Sequence, residues 1–317
     1  MCGLAGIFYK NQSLRRKAPV GAQLVKMMAA MRHRGEDSTG YTISGESVGA
    51  GNVLARLCAP RAACDAEATR LSRRRENGAE FIAALKAIQK LGGRIQSRNQ
   101  IGRHLRLVFG YRKDLRAVAD ALLAIPVLEI HSLGQTSEII KDEGDAMALD
   151  AKHHISAFHG THGLGHNRLA TESQVDVRHS HPFWAYPFPD VTTVHNGQLT
   201  NYHKLKRIYE EQGYRFQTHN DSELIAVYLA DKLAHGADLI HALQDSIQDF
   251  DGTFTYLVST SKGIGYAKDK FAAKPLVVME RADVVAVASE EVALRQVFPE
   301  EIERAEPQQS LCRVWLN

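Results

Sequence analysis

The chain has 317 residues, 44% of them hydrophobic and 24% charged, with a formal net charge of +3. Such a chain is ordinary for a globular protein and long enough to bury a large core, in one big domain or two small ones. It has no run of about 18 apolar residues and no basic-then-apolar leader, which argues against a membrane-spanning helix and a signal peptide.

The first predicted element is a short apolar strand from Leu4 to Tyr9, preceded by Met1-Cys2-Gly3. A small residue behind the initiator methionine normally allows its removal, which would leave Cys2 with a free α-amine. One residue would then carry both a nucleophilic thiol and a base, with ordinary pKa values of about 8.5 and about 7.7–8.0. The plainer reading is that any small residue can occupy position 2. A helix is predicted from about Ala22 to Met31, then a polar loop with Arg34-Gly35-Glu36-Asp37-Ser38.

Residues 53–127 are rich in Ala, Leu and Arg. Phe81, Ala84, Leu85 and Ile88, and then Leu115, Val118, Leu122 and Leu123, recur at helical spacing. Gly92-Gly93 and Gly102 punctuate them, so two or three helices inserted into another architecture are expected. From Gly51 to Ile130 there are 15 Lys+Arg against 7 Asp+Glu, which leaves this stretch at +8 and the remainder at −5. Arg73-Arg74-Arg75 is the densest run. A basic block attracts nucleic acid or an acidic partner. Aromatic interleaving and RNA-binding motifs are missing, so a solvated helix face is the plainer reading and nucleic acid is not expected.

From about Leu128 strands dominate. Thr192-Thr193-Val194-His195 runs into Asn196-Gly197, a helix near Tyr202–Gln212 stops at Gly213, and Asp221 or Ser222 is expected to cap the next helix. Phe254–Ser259, Gly263–Lys268, Leu276–Met279 and Val284–Ala288 read as short strands. The pattern predicts an α+β fold of antiparallel sheets flanked by helices.

Three groups of residues carry chemistry. Asn196-Gly197 is either a hairpin turn, as the favoured type I′ pair, or an oxyanion hole formed by a side-chain amide and a backbone N–H. Gly165-His166-Asn167-Arg168-Leu169-Ala170-Thr171 holds an arginine whose fork suits a carboxylate, or which makes a surface ion pair. Asp221 suits an ammonium group, or a helix cap. Arg168 and Asp221 together would satisfy both charges of a free amino acid. His153, His154, His159, His162 and His166, and then His179 and His181, suggest metal binding but lack ligands at a recognised spacing. Cys2, Cys58, Cys64 and Cys312 are too scattered for a disulfide framework or a paired zinc site. No metal or cofactor is therefore expected in this chain, and a reducing, cytoplasmic setting fits.

Read together, these motifs resemble the class II, or N-terminal-nucleophile, glutamine amidotransferases. The likeness rests on Cys2-Gly3-Leu4-Ala5-Gly6, His33-Arg34-Gly35-Glu36-Asp37-Ser38, Gly165 to Thr171, His181-Pro182-Phe183, His195-Asn196-Gly197, Asp221-Ser222-Glu223 and Asp251-Gly252-Thr253-Phe254, in the family's order. It covers about 1–50 and 128–300. It implies a four-layer αββα sandwich of two antiparallel sheets, here with a basic helical insertion at 53–127, across a type-2 amidotransferase domain spanning 1–317. It also implies that Cys2 attacks the glutamine side-chain amide and that its α-amine serves as base and acid. Asn196 and Gly197 would form the oxyanion hole. Arg168, with Thr171 nearby, would hold the α-carboxylate, Asp221 the α-ammonium, and Arg34-Gly35 would line or close the pocket.

Ala170-Thr171-Glu172-Ser173 and Val127–Gly144 resemble stand-alone amidotransferase subunits of glutamate synthase and N-methylglutamate synthase systems. The expected product is therefore ammonia delivered to a partner synthase subunit. Two features depart from the family pattern. Glu36 stands where Pro is usual, and about 134 residues separate Arg34 from Arg168. The insertion filling that interval is expected to dock the partner. Three other readings remain: an N-terminal-nucleophile hydrolase for another amide, a non-catalytic scaffold keeping the fold, and a nucleic-acid-binding module built on the basic block.

Overall fold

The computed structural model describes residues 2–11, 13, 17–59, 78–169, 176–299, 304–307 and 309–317. Thr171, Cys64 and Arg73-Arg74-Arg75 lie outside the described residues.

The chain opens with β1 (Gly3–Tyr9), α1 (Val20–Ala30) and β2 (Ser38–Ser44). It continues through β3 (Asn52–Cys58), α2 (Ala79–Lys90), β4 (Arg94–Ile101), β5 (His104–Gly110), α3 (Leu115–Leu123) and β6 (Glu129–Gly134). Then come β7 (Ser137–Glu143), α4 (Ala146–His153), β8 (His162–Arg168), β9 (Phe183–Trp184) and β10 (Thr192–Leu199). Three helices follow, α5 (Tyr202–Glu211), α6 (Asp221–Ala234) and α7 (Leu239–Asp249). The chain closes with β11 (Gly252–Thr260), β12 (Gly263–Lys268), β13 (Val277–Glu280), β14 (Val284–Ala288), α8 (Glu291–Arg295), β15 (Arg304–Ala305) and β16 (Cys312–Leu316).

Two antiparallel sheets stack face to face, one ordered β15-β13-β14-β1-β8-β2-β7 and the other β16-β12-β11-β10-β9. The two-residue period of the strands decides which side chain meets which layer. On β1, Leu4 and Phe8 join Leu164, Val194, Leu257, Val285 and Val287 between the sheets. Ala5 and Ile7, one residue out of phase, pack with Leu24, Met27 and Met28 of α1 on the outer face. On the far side, α6 and α7 cover the second sheet through Leu224, Val227, Leu243, Tyr256 and Val258. The helix–sheet–sheet–helix order is the four-layer sandwich the resemblance implied. Among the described residues no helix is long and apolar enough to cross a membrane.

The stretch 53–127 departs from expectation. It is not simply helical: β3, β4 and β5 join β6 in a third antiparallel sheet, ordered β4-β5-β3-β6, with α2 and α3 packed against it. The helical spacing identified α2 and α3, whose Phe81, Ala84, Ile88, Val118 and Leu122 are buried. The strands were hidden because Arg56 and Arg106 interrupt the apolar runs of β3 and β5, and β4 is mostly polar. Those arginines face acids on the sandwich. Arg56 and Arg106 both pair with Glu138 of β7, at 2.7 and 2.9 Å, and Arg103 pairs with Asp142. Part of the basic excess is thus neutralised inside the molecule, which weakens the nucleic-acid reading.

Candidate active site

The edge where β1, β8 and β10 meet gathers the candidate residues. Cys2 directly precedes β1 and is half-buried. Its carbonyl oxygen accepts two hydrogen bonds, from Arg34 Nε at 3.0 Å and from Asn196 Nδ2 at 3.0 Å. Its sulfur lies 3.4 Å from the backbone nitrogen of Leu169, the residue after Arg168. Positions 2, 34, 168–169 and 196, far apart in sequence, therefore converge on one residue. The register explains it: Gly3 pairs with Asn167 across β1 and β8, and Ser38 pairs with Arg168 across β2 and β8.

Asn196 and Gly197 do not form a hairpin turn. They lie inside β10, paired with Thr255 and Phe254 of β11. Gly197 has φ +131°, and a Cβ there would fall 1.9 Å from the Thr253 carbonyl oxygen, so only glycine fits. His166 sets the direction of the Asn196 amide. Its Nε2 lies 3.1 Å from Asn196 Oδ1 and 3.2 Å from the His195 carbonyl, both acceptors, so Nε2 carries the hydrogen. The amide nitrogen is left pointing at Cys2, with Ser289 Oγ at 3.4 Å as a second contact. Burial lowers the His166 pKa to about 3 despite its hydrogen bonds to Asn196 and His195, so the ring is neutral. It stacks on His181 with centroids 4.0 Å apart.

Arg34 is buried, and its guanidinium also pairs with Glu290. Burial alone would raise the Glu290 carboxyl, but Arg34 and His33 outweigh it and hold the pKa below the ordinary value. Gly35 lies against the backbone of the next strand, where an added Cβ would stand 2.5 Å from the Arg168 carbonyl carbon. Arg168 ends β8 and is 5% exposed, and its carbonyl accepts from the Asp37 N–H at 3.2 Å.

Asp221 is the first residue of α6, but the helix cap is Asn220, whose side chain accepts from Ser222 N at 2.9 Å. The expected cap at Asp221 or Ser222 is therefore displaced by one residue, which leaves the Asp221 carboxylate for other contacts. It accepts from Leu199 N at 2.8 Å and sits 3.5 Å from His195 Nδ1. Burial pushes its pKa up, while His195, the Leu199 N–H and Ser222 pull it down, and the net result lies below the ordinary aspartate value. It is therefore an anion near neutral pH, joined to the Asn196 strand through His195.

Sequence reasoning missed the supporting residues. His166, His181 and Ser222 lie within quoted motifs, yet the two histidines read only as possible metal ligands. Ser289 and Glu290 carry no local signal. Pairing of Ala5 with Ala288 brings Ser289 to the site, where its Oγ accepts from Leu4 N at 3.0 Å.

Residues 166–296 match a family described as "Glutamine amidotransferase domain". Over 309 residues the chain is 36% identical to the Methanothermobacter thermautotrophicus protein named "Putative glutamine amidotransferase", covering 97% of both chains. This chain belongs to the glutamine amidotransferase family. A second relative, glutamine amidotransferase-like protein GlxB of Rhizobium meliloti, is 33% identical over 296 residues, covering 93% of this chain and 91% of that one. Glutamine phosphoribosylpyrophosphate amidotransferase from B. subtilis shares the fold at TM-score 0.60 and 17% identity. That match covers all of this amidotransferase chain and 47% of the solved one, so the chain spans about half that protein's length.

Proposed function

We propose that this chain hydrolyses glutamine to glutamate and ammonia through a Cys2 γ-glutamyl thioester and passes the ammonia to a partner synthase subunit. The observation that carries the reading is the double hold of Arg34 and Asn196 on the Cys2 carbonyl, 3.0 Å each, with the thiol beside Leu169. Anchoring the backbone of residue 2 from two sides fixes where its side chain reacts.

In this reading Met1 is removed and the α-amine of Cys2 takes the thiol proton. The thiolate attacks the glutamine Cδ, and the carbonyl electrons move onto oxygen. Asn196 Nδ2 and the Gly197 N–H stabilise that oxyanion, an interaction typically worth about 2.7–4 kcal/mol per donor. The C–N bond breaks as the ammonium of Cys2 returns its proton to the leaving nitrogen, releasing ammonia. Water then attacks the thioester and frees glutamate and the thiol. Arg168 holds the α-carboxylate and the anionic Asp221 holds the α-ammonium. Arg34 and Gly35 form the loop that fastens the N-terminus.

The ammonia acceptor belongs to another subunit, and the insertion supplies a contact with it, through the exposed strand β4 carrying Arg94 and Arg98. Steady-state release of ammonia and glutamate tests the reading. The intact chain should produce both in equal amounts from glutamine, and C2A should produce neither. Hydrolysis of other amides in preference to glutamine would overturn it.

A further inference from the structure

We propose that the junction between the inserted sheet and the sandwich holds one zinc-class divalent transition-metal ion, ligated by Cys58, Glu129 and His131. Each residue offers one ligand atom, and the three atoms lie within 4.8 Å of one another. All three are buried, at 0%, 7% and 4% exposure. Thiolate, carboxylate and imidazole together suit zinc above the other common divalent ions.

The backbone is built for this convergence. Cys58 ends β3 and pairs directly with Glu129 of β6. Between Arg56 and Leu57 the register slips, because Arg56 faces Ser132 while Leu57 faces Ile130. His131 is the extra residue of that bulge, and bulges re-aim side chains.

The polar atoms give an independent sign. Among the described residues, buried His131 Nε2 and Glu129 Oε2 have no hydrogen-bond partner. Such orphans are costly and rare. The two atoms are 3.5 Å apart. Two ligands at about 2.0–2.2 Å from one tetrahedral zinc are themselves about 3.4 Å apart. A small cavity of about 20 Å³, lined by Glu129 and His131 but not Cys58 and also by Arg178, Gln217, Thr218 and Glu223, adjoins them. It has room for a water, which needs about 10–15 Å³, in the fourth coordination position. Lys141 lines the same cavity, with its ammonium 2.7 Å from the Ser180 carbonyl and over the Phe183 ring.

A neighbouring triad, His104, Asp142 and His153, is the lesser candidate. Asp142 already accepts from Arg103, His104, Lys152 and His153, which fills its oxygens. Two strands and a bulge assemble the Cys58 triad from residues up to 73 positions apart, which is why spacing along the chain pointed to no metal. Binding would release the Cys58 thiol proton to solvent, so affinity should rise with pH.

The test uses the full chain carrying Cys2→Ala, so that the N-terminal residue offers no thiol. After chelator treatment under reducing conditions, zinc is added, followed by dialysis and metal analysis. One zinc per chain is expected, with a raised unfolding midpoint. Cobalt in its place should give a thiolate-to-metal charge-transfer band that C58S abolishes. E129Q and H131A should each weaken binding at least about tenfold. E129Q keeps the shape of the side chain and guards against misfolding of the other variants. Failure to retain zinc, or retention equal in E129Q, H131A and C58S, would overturn the assignment.

Discussion

The sandwich and the inserted sheet are both antiparallel sheets with helices packed against them, but they disclose themselves differently. In the sandwich the strands are buried on both faces and alternate apolar side chains between two cores, as Leu4 and Phe8 do against Ala5 and Ile7. The inserted sheet has one exposed edge, β4, and meets the sandwich through ion pairs from Arg56 and Arg106 to Glu138. Apolar periodicity therefore reports the first region and misleads in the second, where Arg56 and Arg106 interrupt β3 and β5 and β4 is mostly polar. A basic count along the sequence cannot tell an arginine that faces solvent from one that faces a buried carboxylate.

Four variants press on that contrast, from the largest effect to the smallest. Cys2→Ala should lower glutamine turnover by at least about a thousandfold while leaving the unfolding midpoint close to the parent's, as measured by ammonia release and denaturant titration. Asn196→Ala should reduce kcat by about 10²–10³-fold, the usual loss for one oxyanion donor. Both act at the sandwich edge and should leave the insertion intact.

Glu138→Ala acts at the other region. It strands Arg56, which is 8% exposed, and should cost about 3–5 kcal/mol of stability in denaturant unfolding. If Glu138→Ala were neutral, the insertion would not be held by these pairs. The smallest effect concerns pH. His166 has a folded pKa of about 3, below its ordinary value of about 6.5. Between those values the unfolded chain binds a proton that the folded chain refuses, so stability falls as pH drops from about 6.5 toward 3. His166→Gln, which keeps a donor to Asn196, should flatten that slope. An unchanged slope would mean that other buried histidines, such as His181, dominate acid unfolding.

How far the site could be read in advance follows from where each residue lies. Cys2, Arg34, Arg168, Asn196 and Asp221 stand in compact motifs at strand and helix ends, so they could be singled out as candidates from the sequence. The α+β class was visible too, from short β-rich segments between turn signals. The cap of α6 was misjudged by one residue because Asn220, Asp221 and Ser222 are all good caps, and only the fold shows that Asn220 takes the role. Asn196-Gly197 resembled a hairpin because the same pair serves turns and strands, and the pairing with β11 decides it. Ser289 and Glu290 were invisible because they reach Asn196 and Arg34 only through pairing of β14 with β1. The insertion strands stayed hidden because their partners, Glu138 and Asp142, lie beyond the segment itself.

The central claim is that Cys2 is the nucleophile for glutamine. Intact mass of the purified chain before and after 6-diazo-5-oxo-norleucine, followed by peptide mapping, tests it most directly. The account predicts a chain lacking Met1 and a single adduct on Cys2 that excess glutamine prevents. Retained Met1 with no adduct, or an adduct elsewhere that glutamine leaves untouched, would contradict it and favour a non-catalytic scaffold that keeps the fold.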